Sequence, residues 1–303
     1  ASAGFMEKLA HGRADDLLST LCLATDSPIM LAPAMNQQMW RQDATQANIQ
    51  TLVQRGMQLL GPAEGDQACG DAGPGRMLEP AEILQLVESH FHTGVLAGRK
   101  ILMTAGPTRE PVDPVRFLSN RSSGKMGFAI AQAAQEAGAT VTLVAGPVQM
   151  KTPRGVKRID VETAAEMYNA VIPLASEADV FIATAAVSDY RPAETADQKI
   201  KKTASDLTLT LQPNPDILAE VAALNAAPFT VGFAAETDSL ESNAQTKLEQ
   251  KKLDMIAANP VSGNQGFDQD ENQLTVISKN STVKLALTSK QKIARQLIQL
   301  IAE

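Results

Sequence analysis

The stretch RFLSNRSSGKMGFAIAQAAQEAGATVTLVAGP, residues 116–147, joins a polar loop rich in Ser and Gly to an amphipathic helix and an apolar strand. A Gly-Lys pair, Gly124-Lys125, stands where the loop meets the helix, which is typical of a phosphate-binding turn. The P-loop pattern fails, because it needs Gly in place of Ser119 and Ser or Thr in place of Met126. The dinucleotide pattern G-x-G-x-x-G fails as well, since only one pair of glycines has usable spacing. The loop therefore predicts another kind of anion site.

Strands and helices alternate around this loop. We predict five strands in the second block of the chain, at 100–106, 140–146, 179–187, 229–236 and 254–259. Helices are predicted at 124–137, 162–176, 215–224, 239–252 and 290–302, with a polar hairpin at 273–289. Several strands are continuous apolar runs, which predicts an α/β fold with a doubly wound, Rossmann-like parallel sheet between helices. Ligands of such sheets bind beyond the carboxyl ends of the strands, so we expect the site there.

The first block of the chain has shorter elements. They are helix 5–24, strand 28–33, a helix after Asn36, strand 57–61, a Gly-rich loop at 61–76 and helix 80–91. The segment 92–100 is the predicted linker, so we expect two domains, 1–93 and 94–303. The chain starts without Met, and its helical spacing begins almost at once. We therefore expect a fragment of a longer polypeptide.

Composition excludes several classes of protein. The net charge is −7 and the pI is near 5.1, which argues against general binding to nucleic acid or to anionic membranes. No uninterrupted apolar run approaches the roughly 18–20 residues that a membrane helix needs. Two cysteines, Cys22 and Cys69, cannot make a disulfide framework, so we expect a protein of the reducing cytoplasm.

Three groups in the second block are candidate anion ligands. Asn214-Pro215-Asp216 opens a predicted helix with Asn as N-cap, which either binds phosphate or only caps the helix. Lys247 and Lys251 share a helix face, which is either solvated or neutralised by an anion. Lys199 begins the run 199–202 in a polar loop. That loop is either flexible and solvated, or a mobile lid that brings a cation to phosphates.

Two residues in the first block stand out. Asn36 follows an apolar strand in PAMNQQMW, residues 33–40, and is either a helix cap or a polar group placed for binding at a strand end. Cys69 lies in ACGDAGPGRM, residues 68–77. A free Cys is most often a buried small hydrophobe, but loops this rich in Gly lie on surfaces and often carry function.

A dehydrogenase is disfavoured by the strand that ends Val144-Ala145-Gly146-Pro147, because it lacks the acidic residue that would bind a nicotinamide ribose. A nicotinamide-dependent reductase remains an alternative, although the lack of this acidic residue argues against it. A flavin-type oligomerisation scaffold without chemistry is the other alternative. Intact Asn120, Asp189 and Lys199 argue against the scaffold.

Seven segments together resemble the bifunctional phosphopantothenoylcysteine decarboxylase / phosphopantothenate–cysteine ligase family of coenzyme A synthesis. In family order they are LAPAMNQQMW, QACGDAGPGRM, MTAGPTREPVDPVRFLSNRSSGKMG, AAVSDYR, KIKK, NPDI and VGFAAET. The resemblance covers essentially the whole chain. It implies a Rossmann-like ligase domain at 94–303, preceded by the C-terminal half of a flavodoxin-like flavoprotein domain.

The resemblance implies a ligase that works in two half-reactions. The carboxylate of 4′-phosphopantothenate attacks the α-phosphate of CTP and gives an acyl-cytidylate and pyrophosphate. The amine of cysteine then displaces CMP and forms phosphopantothenoylcysteine. The implied co-substrate is CTP with Mg²⁺, whose ligands the sequence leaves unknown. The implied assembly is a homo-oligomer, dimeric through the ligase domain and a higher oligomer in the full-length protein. CTP rather than ATP is an inference from the resemblance.

The resemblance also implies roles for particular residues. Asn120 contacts the acyl-cytidylate carbonyl or its surroundings, and Lys199 is the lid cation that promotes activation. The expected CTP site comprises Ala183, Thr184, Ala185, Asp189, Lys199, Pro215, Asp216, Ile217, Leu218, Phe233, Lys247 and Lys251. The expected substrate site comprises Asn36, Asn120, Ser122, Ser123, Gly124 and Lys125.

Residues 1–93 resemble the second half of the decarboxylase domain, which uses FMN. By similarity Asn36 binds the substrate carboxylate, and Cys69 on a flap reprotonates the enethiolate. His11, His90 and His92 match neither the position nor the context of the family's catalytic histidine. The family's flavin-phosphate loop has no counterpart here either. We therefore expect a partial FMN site and an impaired decarboxylase in this chain.

Overall fold

The structure, a computed structural model, describes residues 1–66, 70, 72–202, 206–236, 239–260 and 269–303. It divides into two units, Ala1–His92 and Thr93–Glu303, which we call unit 1 and unit 2. No helix in these described ranges is both long and apolar enough to cross a membrane.

The described residues of unit 1 form five helices and two small sheets. Its elements are α1 (Ala3–Ala10), α2 (Leu17–Ala24), β1 (Met30–Leu31), α3 (Gln37–Arg41), α4 (Asp43–Gln54), β2 (Gln58–Leu59), β3 (Ala63–Asp66), β4 (Ala72–Arg76) and α5 (Pro80–Phe91). Strands β1 and β2 pair in parallel, and β3 and β4 form an antiparallel ribbon. Met6, Leu9 and Leu52 are buried in the one apolar cluster described there, between α1, α4 and β1.

Two predictions for unit 1 are wrong in detail. The single helix predicted at 5–24 is two helices, because Gly12 adopts a left-handed φ of +65° and the chain turns. Asp16 then starts α2, where its carboxylate and the Ser19 hydroxyl form a capping box. The Gly-rich segment predicted as a loop contains the β3–β4 ribbon, whose strands are too rich in Gly to show a strand pattern.

Unit 2 is built on one eight-stranded sheet. Its strands are β5 (Lys100–Ala105), β8 (Thr140–Ala145), β9 (Lys157–Asp160), β10 (Val180–Ala183), β13 (Phe229–Glu236), β14 (Met255–Pro260), β15 (Glu271–Ser278) and β16 (Thr282–Ser289). The spatial order is β16-β15-β14-β13-β10-β5-β8-β9. Strand β15 is antiparallel to both of its neighbours, β14 and β16, and the other neighbouring strands are parallel. The predicted doubly wound α/β fold is therefore confirmed.

Helices cover both faces of this sheet. They are α6 (Lys125–Glu136), α7 (Ala164–Ala175), α8 (Ile217–Ala222), α9 (Leu240–Gln250) and α10 (Lys290–Ala302). Helices α6 and α10 share the apolar cluster on one face, whereas α7, α8 and α9 pack on the other. The sheet is thus buried on both sides, which is why its strands read as continuous apolar runs.

In the part of unit 2 that the structure describes, two short ribbons lie outside the sheet. One pairs β6 (Arg109–Pro111) with β7 (Phe117–Ser119), and the other pairs β11 (Tyr190–Pro192) with β12 (Leu211–Pro213). The strand predicted at 179–187 therefore ends early, at Ala183, and its last residues belong to a loop that leads into β11. Strand β9 was not predicted from the sequence.

Candidate active site

The order of the strands reverses beside β5, which lies between β8 and β10. Thr104 and Ala183 are partners in the parallel register of β5 and β10, so both strands end at the same edge. The loops 106–124 and 184–189 leave the sheet there. In open α/β sheets this reversal opens a crevice beyond the carboxyl ends, where ligands bind.

Hydrogen bonds of threonine side chains and of the backbone join these two loops. The Thr184 hydroxyl donates to the Thr104 carbonyl, and the backbone N–H of Ala186 donates to the Gly106 carbonyl at 2.9 Å. The Thr108 hydroxyl accepts the N–H of Ser188 at 3.0 Å, and the Thr108 side chain is fully buried. The loops therefore form one bonded rim, because a buried backbone group must find a partner inside the protein.

Asn120 is held against this rim. Its Nδ2 donates to the carbonyl oxygens of Ala186 and Val187 at 3.1 and 3.2 Å. The neighbouring Ser119 hydroxyl donates to the Thr108 carbonyl at 2.7 Å. The structure thus brings Asn120 to the end of β10, the strand that carries Ala183.

The Gly124 turn brings the start of α6 close to the strand ends. Gly124 is the N-cap, with a left-handed φ of +76° that only Gly adopts easily, and its N–H faces the Ser122 hydroxyl at 3.4 Å. A Cβ on Gly127 would lie 2.5 Å from both Ala105 Cβ and Thr184 Oγ1. The helix can therefore approach the crevice only because this residue has no side chain.

Lys125 has an acidic partner. Its Nζ lies 3.0 Å from Asp270, and this ion pair holds the pKa of Asp270 below its usual range. A cavity of about 350 Å³ opens beside Lys125, and Lys151, Lys290 and Asp270 also line it. The described lining of this cavity thus includes three lysines and the Asp270 carboxylate.

The segment after β12 was misread from the sequence. Asp216, not Asn214, is the N-cap of α8, since the Asp216 carboxylate accepts the N–H of Ala219 at 3.1 Å. Asn214 instead joins two loops. Its Nδ2 donates to the Ser188 carbonyl at 2.8 Å, and its Oδ1 accepts Arg191 at 2.7 Å.

The remaining predicted nucleotide residues lie beside β13. Lys251 forms an ion pair with Asp216 at 2.7 Å, and Lys247 is exposed one turn earlier on α9. Phe233 is half-buried in β13, opposite Ala257 of β14. Asn214 lies two residues before Asp216 and donates hydrogen bonds to the carbonyl oxygens of Ser188 and Asp189. The predicted CTP residues at 183–189 and those beside β13 therefore lie at the same edge of the sheet.

Lys199 is exposed in the segment between β11 and β12. The next residue, Ile200, donates its backbone N–H to the Asp113 carboxylate at 3.1 Å. Burial of Asp113 raises its pKa, but the Arg116 guanidinium and the N–H groups of Val115, Ile200 and Arg116 outweigh burial. They hold the pKa of Asp113 well below its usual range.

Three buried side chains that form hydrogen bonds around this rim were not predicted from the sequence. Asp113 is one, and Thr108 is another. The third is Glu110, which is buried and accepts the N–H of Ala164 at 3.0 Å, at the start of α7. All three lie in TREPVDPVR, residues 108–116, where charged residues between prolines were the available signal.

Asn36 and Cys69 are the predicted site residues of unit 1. Asn36 is half-buried and is the N-cap of α3, with Oδ1 accepting the N–H of Gln38 at 2.7 Å. Cys69 lies outside the described residues. In the parts of the chain that the structure describes, no three His, Cys, Asp or Glu side chains form a group that could hold a metal ion.

Comparison with known proteins matches both units. The family model described as flavoprotein matches residues 1–92, and the one described as DNA/pantothenate metabolism flavoprotein C-terminal domain matches residues 96–303. The coenzyme A biosynthesis bifunctional protein CoaBC of Vibrio cholerae is 54% identical, over 100% of this chain and 77% of that protein. The Escherichia coli protein of the same name is 50% identical, over 98% of this chain and 75% of that protein.

A solved structure supports the fold of unit 2. The crystal structure of the C-terminal domain of a coenzyme A biosynthesis bifunctional protein CoaBC aligns with a TM-score of 0.60 and 39% identity. The alignment covers 69% of this chain and 97% of that one.

Proposed function

The chain belongs to the family of coenzyme A biosynthesis bifunctional proteins, and we propose that unit 2 is its CTP-dependent ligase, with the active site at the rim described above. One observation carries the assignment of the site. Asn120, from the loop after β5, is hydrogen-bonded to the loop after β10 that carries the predicted nucleotide residues. The proposed substrates are 4′-phosphopantothenate, CTP and cysteine.

The reaction follows from the chemistry of these substrates. An oxygen of the 4′-phosphopantothenate carboxylate bonds to the α-phosphorus of CTP, and pyrophosphate leaves. The amine of cysteine then bonds to the acyl carbon, CMP leaves with the oxygen, and the amine loses a proton. The product is the amide phosphopantothenoylcysteine.

The first step brings a carboxylate to a triphosphate, so cationic groups have to offset the charge. Lys199, Lys247 and Lys251 are the proposed cations for the nucleotide, and Lys125 is the proposed cation for the substrate phosphate beside Gly124. Mg²⁺ is proposed as part of the nucleotide substrate, since this hard cation takes phosphate oxygens as ligands. Small residues at 183–185 allow the nucleotide to approach the strand ends.

Lys251 has to exchange partners in this scheme. Its ammonium group is paired with the Asp216 carboxylate, which also caps α8. A triphosphate carries more charge than one carboxylate and attracts Lys251 more strongly. The cost of giving up the partly exposed ion pair is small, because such pairs contribute about 0–1 kcal/mol.

Unit 1 matches the flavoprotein family, and the family also carries the decarboxylase activity of coenzyme A synthesis. The Asn36 side chain caps α3, and the parallel sheet there has two short strands. We propose that unit 1 supplies part of an FMN site, as the family resemblance implies. Oligomerisation through unit 2 and a cytoplasmic location stay part of the proposal, because both rest on the family resemblance.

Pyrophosphate release tests the ligase. The chain is incubated with 4′-phosphopantothenate and Mg²⁺, with CTP or ATP, with and without cysteine, and the acyl-cytidylate is followed by mass spectrometry. We expect release with CTP, and consumption of the intermediate only after cysteine is added. Lys199→Gln should lower release by about 100-fold, the scale of a lost electrostatic contact to the transition state.

Lys157→Gln is the matched control, because Lys157 is exposed and begins β9, the outermost strand of the sheet, which β8 separates from β5. It should release pyrophosphate at the unmodified rate. No release with either nucleotide, from protein with the circular dichroism of a folded α/β domain, would overturn the proposal. Equal losses in both lysine variants would remove Lys199 from the site.

A further inference from the structure

Asp113 is a buried carboxylate outside the set of residues that the resemblance assigns. Its side chain has 0% exposure. It accepts the backbone N–H groups of Val115 and Arg116 at 2.8 and 2.9 Å, and the Arg116 guanidinium at 2.9 Å from Nε. A charge buried this deeply costs stability unless several donors satisfy it, and here they do.

Asp113 and Arg116 together bond both backbone groups of Ile200. The Asp113 carboxylate accepts the Ile200 N–H at 3.1 Å, and the Arg116 guanidinium donates to the Ile200 carbonyl at 2.6 Å. The residue so held follows Lys199 directly. The peptide unit that joins Lys199 to Ile200 is therefore fixed by its N–H, whereas Lys199 itself is exposed.

The other end of the segment is bonded to the same loop. The Thr195 hydroxyl donates to the Pro111 carbonyl and the Ala196 N–H donates to the Val112 carbonyl, each at 3.1 Å. Segment 195–200 is thus docked along residues 111–116. Only the hydrogen bonds at Ile200 involve a charged pair, so they are the strongest of the set.

We propose that Asp113 is a positioning residue, which docks the segment 195–200 through Ile200 and so places the Lys199 ammonium group for nucleotide activation. Asp113 acts through the backbone of its neighbour segment and contacts no substrate. A lysine on a free loop would have to be ordered in each catalytic cycle, and docking removes that entropic cost beforehand. The catalytic part of this inference rests on the proposed ligase function, whereas the docking part does not.

Trypsin tests the docking without any substrate. It cleaves after Lys199, Lys201 and Lys202, and the fragments are identified by mass spectrometry. Both oxygens of Asp113 accept N–H groups, so either orientation of the amide in Asp113→Asn places its NH₂ against another donor. The substitution also removes the charge that pairs with Arg116, so the segment should be released. We expect cleavage at these lysines to become about tenfold faster, as the loss of a charged hydrogen bond implies.

Asp179→Asn is the matched control. Asp179 also accepts an arginine, Arg99, at 3.1 Å and a backbone N–H, that of Lys100, at 2.7 Å, but at the amino ends of β5 and β10. It should leave cleavage at 199–202 unchanged. Equal rates in the Asp113 variant and the unmodified chain would overturn the docking, as would cleavage of the unmodified chain at the rate of a free peptide.

A second variant leaves the buried ion pair intact. Ile200→Pro removes the N–H that Asp113 accepts and leaves Asp113 and Arg116 in place. Trypsin does not cleave a Lys–Pro bond, so in this variant only the sites after Lys201 and Lys202 are followed. Cleavage at these two sites should become faster even if Asp113→Asn fails to fold. Unchanged cleavage in a folded Ile200→Pro variant would also overturn the docking.

Kinetics separate positioning from a general loss of structure. Asp113→Asn should lower kcat for pyrophosphate release by about tenfold, and should lower it no further when Lys199→Gln is already present. Equal loss in both backgrounds would mean that Asp113 acts on the fold rather than on Lys199. If the unmodified chain releases no pyrophosphate, the proposed function fails, while trypsin still decides the docking.

Discussion

Units 1 and 2 share an α/β pattern but differ in how much sheet their helices can cover. In unit 2 eight strands carry helices on both faces, and three apolar clusters fill the space between them. In unit 1 the parallel sheet has two strands of two residues each, and one cluster of six buried residues is described. The difference teaches that the same hydrophobic periodicity stabilises a helix only in proportion to the apolar surface it meets.

Helices α2 and α6 show this difference directly. In α6 the apolar side chains, among them Phe128 and Ile130, are buried against the sheet. In α2 the four leucines at 17, 18, 21 and 23 are each more than half exposed. An apolar helix sequence predicts the helix, but it does not say what will cover its face.

The largest expected effect on stability comes from truncating a large buried side chain in the core of each unit. Phe181 in β10 is fully buried between α7 and α8, and Leu52 in α4 is almost fully buried in the smaller cluster. Phe181→Ala should lower the free energy of unfolding of unit 2 by about 3–5 kcal/mol, and Leu52→Ala should lower that of unit 1 by about 2–3 kcal/mol. The smaller cluster should relax more easily around its cavity.

Each unit has its own probe in a urea titration. Trp40 is the only tryptophan and lies in unit 1, so its fluorescence reports that unit. Hydrogen exchange of peptides that contain β5 and β10 reports unit 2. A cost at Leu52 equal to or above that at Phe181 would contradict the comparison.

A smaller change, the addition of one methyl group at a glycine in each unit, also compares the two units. A Cβ on Gly146 would lie 1.8 Å from the Pro107 carbonyl oxygen, whereas a Cβ on Gly4, in the exposed face of α1, meets nothing within 4 Å. Gly146→Ala should therefore destabilise unit 2 by about 1–3 kcal/mol, through overpacking against backbone. Gly4→Ala should stabilise unit 1 by about 0.5–1 kcal/mol, through helix propensity.

The same two probes measure both glycine variants. Both substitutions add one methyl group, yet the predicted changes in the free energy of unfolding have opposite signs, and the signs are what the measurement tests. A stabilising Gly146→Ala would mean that the loop after β5 can move away from the strand end, and that the rim is less rigid than its hydrogen bonds imply. A destabilising Gly4→Ala would mean that α1 is covered at that position.

The main elements of unit 2 could be read from the sequence. Strand β13 and helix α10 have the predicted bounds, 229–236 and 290–302. Both are long enough for their periodicity to be clear, and α10 also carries a cap, the Ser289 hydroxyl accepting the Lys292 N–H. The ribbons β6–β7 and β11–β12 were missed, because strands of three residues show no period.

The site could be read only in part, for a related reason. The resemblance pointed to Asn120, and the structure places it on the rim. Asp113 was missed, because its partner Ile200 is 87 residues away and no local pattern joins them. Asn214 was misread as a cap for the same reason, since its bonds to Ser188 and Arg191 depend on the β11–β12 ribbon. Local rules found the caps and strands, and tertiary pairing decided which polar residues act together.

The smallest expected effect tests the open face of α2. Leu17 begins this helix and is 76% exposed, so Leu17→Ser removes little buried surface and should change the stability of unit 1 by no more than about 0.5 kcal/mol. The measurement is again Trp40 fluorescence in urea, at two protein concentrations tenfold apart. A loss above about 1 kcal/mol, or a loss that grows with protein concentration, would mean that the leucines of α2 are buried in solution. Unit 1 would then owe its stability to a covered helix face rather than to its own small cluster.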